Sequence, residues 1–331
     1  MKADTLSFEE ITARLKASVP VAAKATGIRT LSTGHSNETY YVEGADVVLR
    51  LAPGGIPMLD ALDVPGQAAV LQAVQAQPDP PPAPVVVHRD DDGDLIGEPF
   101  YLMELIPGED FGDAEVPDWL AAQSPEEHGD MCRQFVEALA KIHAIPPQSV
   151  LGSIKTPHEE VGRWHALAIK SGQKPLLTEF DRLLALPLPP PAPPALVHGD
   201  TKPGNTLWDG TTLTAMLDWE MAFNGDPRFD VGWSLQFYKG RLHEATNPGC
   251  ALPGMWDCER LLAKWAALTG RSPEGIEWFE AATVLKLGAI MAHGLYLYET
   301  GLGADERMRD WQISVDRLVE LARTLLDDMG A

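Results

Sequence analysis

The chain has 331 residues, with 48 Asp and Glu against 26 Lys and Arg, a formal net charge of -22 and a pI near 4.7. That acidity argues against nucleic acid or an anionic membrane as partner and permits a cationic ligand, while 45% hydrophobic and 22% charged residues describe an ordinary globular protein of two domains or two lobes. Cys132, Cys250 and Cys258 show no CxxC spacing, and the start MKADTLSFEEITARL carries neither a leader pattern nor a spanning apolar run, so the expected setting is the cytoplasm.

Ser7 and Glu10 form an S-x-x-E capping pattern that opens a helix, and Pro20 follows it. Two strand-like runs, residues 28–31 and 39–42, flank the polar tip Thr33-Gly34-His35-Ser36-Asn37, which reads as a hairpin. A third strand is expected at 47–51 and a helix at 67–75, with Val70, Leu71 and Val74 on one face. Prolines between 78 and 84 break the chain before a strand at 85–87, and the charged turn 90–94 leads to another at 100–104. The first hundred residues therefore predict a small antiparallel sheet with one inserted helix. Beyond the turn Ile106-Pro107-Gly108, apolar residues recur at helical spacing: helices are expected near 127–145, with Met131, Phe135, Leu139 and Ile142 inward, and near 175–184, 256–268, 275–298 and 304–326. A second proline-rich stretch, 187–194, feeds a core strand, so the division belongs earlier. The expected parts are 1–103, a hinge at 104–108, and 109–331, giving an α+β fold of a small sheet lobe and a larger, mainly helical lobe.

The stretch from Ala195 to Trp233 organises the rest. Apolar runs at 196–197 and 213–217 flank a loop that Pro203 and Gly204 keep out of helix. Converging strand ends would gather Asp200, Asn205 and Asp218, two carboxylates and a carboxamide, into a hard-cation site of the kind magnesium prefers.

His198-Gly199-Asp200, then Asn205, then Asp218 after an apolar strand, resembles the aminoglycoside phosphotransferase-like family of small-molecule kinases, which includes choline kinase-like members and shares the protein-kinase core. The resemblance spans roughly residues 28–300. It implies a bilobal protein-kinase-like fold, ATP and Mg2+ as cofactors, and transfer of the γ-phosphate to a hydroxyl of an aminoglycoside, a macrolide or another small metabolite. It casts Asp200 as the catalytic base, Lys202 as a cation aimed at the transferred phosphate, and Asn205 and Asp218 as metal ligands. Asp230 would anchor the loop backbone, with His198 packed or hydrogen-bonded beneath it. In the first lobe Arg50 would hold phosphates, Gly34, Ser36 and Asn37 would cover them, and the Glu104 C=O and Ile106 N–H would meet the adenine.

The chain departs from the kinase pattern in places. Gln67 stands where a helix glutamate usually pairs with the strand cation; its amide is expected to be able to hydrogen-bond Arg50 without neutralising it. Asp218 is followed by Trp219-Glu220 rather than Phe-Gly, and Glu220 reads either as a second carboxylate near the metal or as a solvated face. Absence of an activation-loop segment argues against a protein substrate, and no GxxxxGK[ST] occurs. A nucleotide-binding pseudokinase and a metal-dependent phosphohydrolase remain alternative readings. The acceptor stays open: acidic residues crowd 109–130, suiting an amine, whereas Trp164, Trp233, Phe237 and Trp256 suit an apolar pocket.

Overall fold

A computed structural model describes residues 6–33, 38–52, 61–113, 115–242, 247–303 and 305–331. Helix α1 (Phe8–Ser18) opens on the expected capping box between Ser7 and Glu10. Strands β1 (Gly27–Thr33), β2 (Glu38–Glu43) and β3 (Val47–Leu51) precede α2 (Val64–Gln75), and β4 (Val86–Asp90) and β5 (Phe100–Glu104) follow it. They form one antiparallel sheet in the order β1-β2-β3-β5-β4. Strand β3 lies at its centre and is buried at all five positions, which makes Arg50 a charge set into an apolar strand. Ile11 and Leu15 of α1 pack with Val42, Leu49 and Leu102 of the sheet. Helix α2 instead joins the larger core through Ala68, Leu71 and Val74. It starts three residues before the apolar pattern does, because Asp63 caps it by accepting from Gly66 N and a proline occupies its first turn.

The sheet ends at Glu104, and β6 (Glu109–Asp110) already pairs with a strand of the second part. There follow α3 (Asp118–Ala121), α4 (Pro125–Ala144), α5 (Pro157–Ser171), α6 (Lys174–Ala185), β7 (Ala195–Val197), β8 (Thr206–Asp209), β9 (Thr212–Met216), β10 (Phe223–Gly225), α7 (Arg228–Tyr238), α8 (Cys258–Thr269), α9 (Ile276–Glu299) and α10 (Trp311–Asp328). The architecture is thus the bilobal, kinase-like α+β fold. Three helices go beyond the expectation, the four-residue α3 and two longer ones. Helix α5 has a Thr156/Glu159 capping box. Helix α7 is buried on every side from Arg228 to Phe237, so it has no polar face to reveal a helical period. Helix α10 begins at Trp311 rather than near 304.

Helix α9 is long and apolar enough by composition to cross a membrane, but the apolar window is 83% buried inside the molecule. It serves as the axis of the helical part, packed against α5, α7 and α10. Strands β7 and β10 pair with each other, while β6, β8 and β9 form a separate three-stranded sheet. The two strand runs flanking the 198–205 loop are therefore not partners, and the site is assembled by a hairpin and a helix.

Candidate active site

The loop after β7 is held from three sides. Asp230, in the first turn of α7, accepts from His198 N at 2.8 Å and Gly199 N at 2.7 Å, so one carboxylate ties down two successive amides. Gly199 has φ +86°, and a Cβ there would lie 2.3 Å from the Met221 carbonyl oxygen, which explains the glycine at this turn. At the next peptide the Lys286 ammonium of α9 donates to the Gly199 carbonyl. Asp230 is fully buried. Burial works against its charge, but the His143 hydrogen bond at 3.0 Å and the two loop amides outweigh that and hold its carboxyl below the usual range. The Trp265 indole N–H donates to His143 Nδ1 at 2.8 Å, which leaves Nε2 to carry the proton given to Asp230. His198 is also buried, and desolvation pushes its pKa down. Its Nδ1 accepts from Asp200 N at 3.2 Å, under the loop as expected.

Asp200 itself is oriented through both carboxylate oxygens. Trp233 Nε1 donates to Oδ1 at 2.8 Å and Asn205 Nδ2 to Oδ2 at 2.7 Å. Asn205 closes the short turn Pro203–Asn205 and leads directly into β8. In the hairpin Thr206 faces Met216, and Leu217 N donates to the Asn205 carbonyl at 2.8 Å. Asn205 and Asp218 therefore leave the hairpin at the same end, and the first of them touches Asp200. Asp218 sits in the left-handed region at φ 59°, ψ 63°, a conformation that costs a non-glycine residue about 1 kcal/mol or more and tends to mark functional positions. Since the Asn205 amide nitrogen is committed to Asp200, its carbonyl oxygen is the atom left for a cation. With the Asp218 carboxylate, 42% exposed, this makes an open set of hard oxygen donors. Among the described residues no cluster of three His, Cys, Asp or Glu side chains forms a closed metal cage.

Arg50 reaches across from the sheet. Its Nη1 donates to Thr39 Oγ1 at 2.6 Å, and Nη2 lies 2.9 Å from Asp218 Oδ1 and 3.5 Å from Glu220 Oε2. Beside it, Tyr101 is pushed up to about 12 by burial, against the opposing pull of the Arg50 charge. Two expectations need correction here. Gln67 donates its Nε2 to the Leu62 carbonyl at 2.8 Å, and among the described residues Arg50 donates to Thr39 and Asp218 rather than to Gln67. Glu220 is no solvated face: it is 5% exposed and packed against the guanidinium.

Lys202 lies on Asp113, with Nζ 2.8 Å from Oδ2. Burial lowers the pKa of this ammonium, but Asp200 and Asp113 more than compensate and hold it above the usual lysine value. Glu104 ends β5, its N–H donating to the Val85 carbonyl at 2.9 Å, and Ile106 is half-buried two residues on. Gly34, Ser36 and Asn37 fall outside the described residues. The four aromatics do not form one pocket. Trp164 and Trp233 sandwich the Lys286 ammonium at 5.2 and 4.9 Å, Phe237 packs edge-on against Trp233, and Trp256 stacks with Arg260. Sequence reasoning missed Trp233 as a partner of Asp200, although it lies one helical turn past Asp230. It also missed Lys286, for which no local pattern gives a signal.

A profile described as the phosphotransferase enzyme family matches residues 27–269. Over 228 residues the chain is 31% identical to acyl-CoA dehydrogenase family member 11 of Gallus gallus, covering 65% of this chain and 28% of that protein. Over 216 residues it is 30% identical to acyl-CoA dehydrogenase family member 10 of Mus musculus, covering 62% and 20%. The chain thus spans between a fifth and a third of these two relatives. Among solved structures, a candidate aminoglycoside phosphotransferase from Ralstonia eutropha aligns with a TM-score of 0.77 at 20% identity, covering 97% of this chain and 98% of that one. The fold, the anchored loop and the profile match over most of the chain agree, and the chain belongs to the phosphotransferase enzyme family.

Proposed function

We propose that the protein is an ATP- and magnesium-dependent phosphotransferase that places the γ-phosphate on a hydroxyl of a small molecule. The observation that carries this reading is the fixed Asp200 carboxylate, gripped by Trp233 and Asn205 beside the hairpin end that bears Asp218. Phosphoryl transfer demands little covalent chemistry of the protein and much positioning. Asp200 receives the proton of the acceptor hydroxyl. Asn205 and Asp218 would hold magnesium, which when bound neutralises the phosphate charge and orients the transferred group. Arg50 and Lys202 supply cations to the phosphates, and the base rests against residues 104–106 between the parts 1–103 and 109–331.

For the acceptor we favour a hydroxylated acyl compound. Two relatives that contain a stretch like this chain are named for acyl-CoA dehydrogenation, and a phosphotransferase segment within such a protein would draw on the same pool of acyl compounds. The test is acceptor-dependent release of ADP with magnesium across hydroxyacyl compounds, aminoglycosides, macrolides, choline-like alcohols and sugars. A hydroxyacyl compound is expected to give the highest kcat/KM, and Asp200→Asn to lower turnover roughly a hundredfold or more. Turnover at the wild-type rate in that variant would remove Asp200 from the role. Nucleotide binding with no turnover on the whole panel would point to a pseudokinase.

A further inference from the structure

We propose that Glu220 is the positioning counter-ion that aims Arg50 at the nucleotide phosphates, replacing a glutamate on α2; the inference rests on the phosphotransferase reading above. A guanidinium in the middle of a buried strand, 10% exposed, must be neutralised nearby or it destabilises the fold. Two carboxylates meet it, and they differ. Asp218 is 42% exposed and faces the open site, whereas the Glu220 side chain is 6% exposed. Both carboxylates lie within ion-pair distance of the one guanidinium, at 2.9 and 3.5 Å. The exposed carboxylate can therefore turn to a cation while the buried one keeps the arginine paired.

Helix α2 takes part indirectly. Gln67 Nε2 donates to the Leu62 carbonyl at 2.8 Å, and Leu62 N donates to the Glu220 carbonyl at 2.8 Å. The helix thus holds the backbone that holds Glu220. This relay requires a donor at position 67, and an ionised carboxylate has none to offer a carbonyl oxygen. Gln67 is accordingly fitted to its place, and the charge that would have stood on the helix stands on the turn Trp219–Met221 instead.

The experiment is calorimetric titration of the full chain with ADP, with magnesium and with chelator, for wild type, Glu220→Gln, Arg50→Met, the Arg50→Met/Glu220→Gln pair and Gln67→Glu/Glu220→Gln. Expected is a loss in affinity of about tenfold or more for Glu220→Gln in both buffers, as for a charge pair broken on one side. No further loss is expected when Glu220→Gln is added to Arg50→Met, and no recovery on adding Gln67→Glu. A loss seen only with magnesium would make Glu220 a metal ligand and overturn the proposal, as would wild-type affinity in Glu220→Gln or recovery in Gln67→Glu/Glu220→Gln. If Glu220→Gln alone fails to fold, the Arg50→Met pair of proteins decides: equal affinities support the inference, and a further tenfold loss overturns it. A wild-type protein that binds no ADP would instead overturn the phosphotransferase reading itself.

Discussion

The indole N–H of Trp233 donates to Asp200 Oδ1 across 33 residues of sequence, at 2.8 Å. It couples the orientation of the proposed base to the seating of α7, whose first turn also supplies Asp230 to the loop backbone. Trp233→Phe keeps a ring near Lys286 but removes the donor together with part of the buried indole. The expected outcome is a kcat lowered about tenfold with the nucleotide KM unchanged, and a stability loss of about 1–3 kcal/mol from the lost hydrogen bond and the space left by the smaller ring. Steady-state kinetics and urea melts check both halves.

Lys286 gives a second handle on the same loop. Desolvation lowers its pKa, partly offset by Asp200 and Glu160, and its ammonium rests on the Gly199 carbonyl between two indole rings. Lys286→Met retains the length and leaves that carbonyl unsatisfied, a loss of about 1–3 kcal/mol. Turnover is expected to fall with stability, while ADP affinity stays within about threefold. A variant as stable and active as wild type would show that the ammonium does not support the loop.

The Lys202–Asp113 pair is partly exposed, with side chains 27% and 56% accessible, so its contribution to stability is expected to stay below about 1 kcal/mol. Asp113→Ala frees the ammonium for phosphate. Tighter ADP binding by a few-fold, with a steeper dependence on salt, is the expected result. Unchanged affinity would indicate that Lys202 serves another purpose.

Two histidines predict the acid side of the stability profile. Burial lowers the folded-state pKa of both His198 and His293 below the ordinary value of 6.5. Between that value and the lowered one the unfolded chain binds more protons, so stability is complete above pH 6.5 and declines as the pH drops below it. Each such proton contributes a slope of about 1.4 kcal/mol per pH unit. His198→Gln should flatten the decline by up to one proton's worth, read from urea midpoints between pH 7 and 5.

The sheet, most of the helices and the closeness of Asp200 to Asn205 were legible in the sequence because they rest on local signals: strand-like runs at β2 and β3, apolar residues at helical spacing in α4, and Pro203-Gly204 as a turn. What escaped is what depends on distant partners. Helix α7 is covered on all sides, so its sequence lacks the polar stripe that betrays a surface helix. The pairing of β7 with β10 rather than β9 is decided by the intervening hairpin, which no short window contains. Gln67 looked like a defect in a charge pair, and only its bond to Leu62 gives it a purpose. Lys286 arrives from a helix 87 residues beyond the glycine it meets, with nothing in its neighbourhood to mark it.

The β8–β9 hairpin carries one last implication. Its proposed cation-binding end is locked by the Leu217–Asn205 bond, whereas its distal turn at Gly210 has open space around it. An insertion at Gly210, on the tip side of the bonds that Thr211 and Leu213 make with Gln134, leaves the 205/218 end alone; a residue gained or lost between 205 and 209 must be absorbed by a change of register or of the irregularity at Leu207 and Trp208. The tip is therefore the place to graft a tag or a reporter, and β8 is where a change of length would be felt at the proposed cation-binding end.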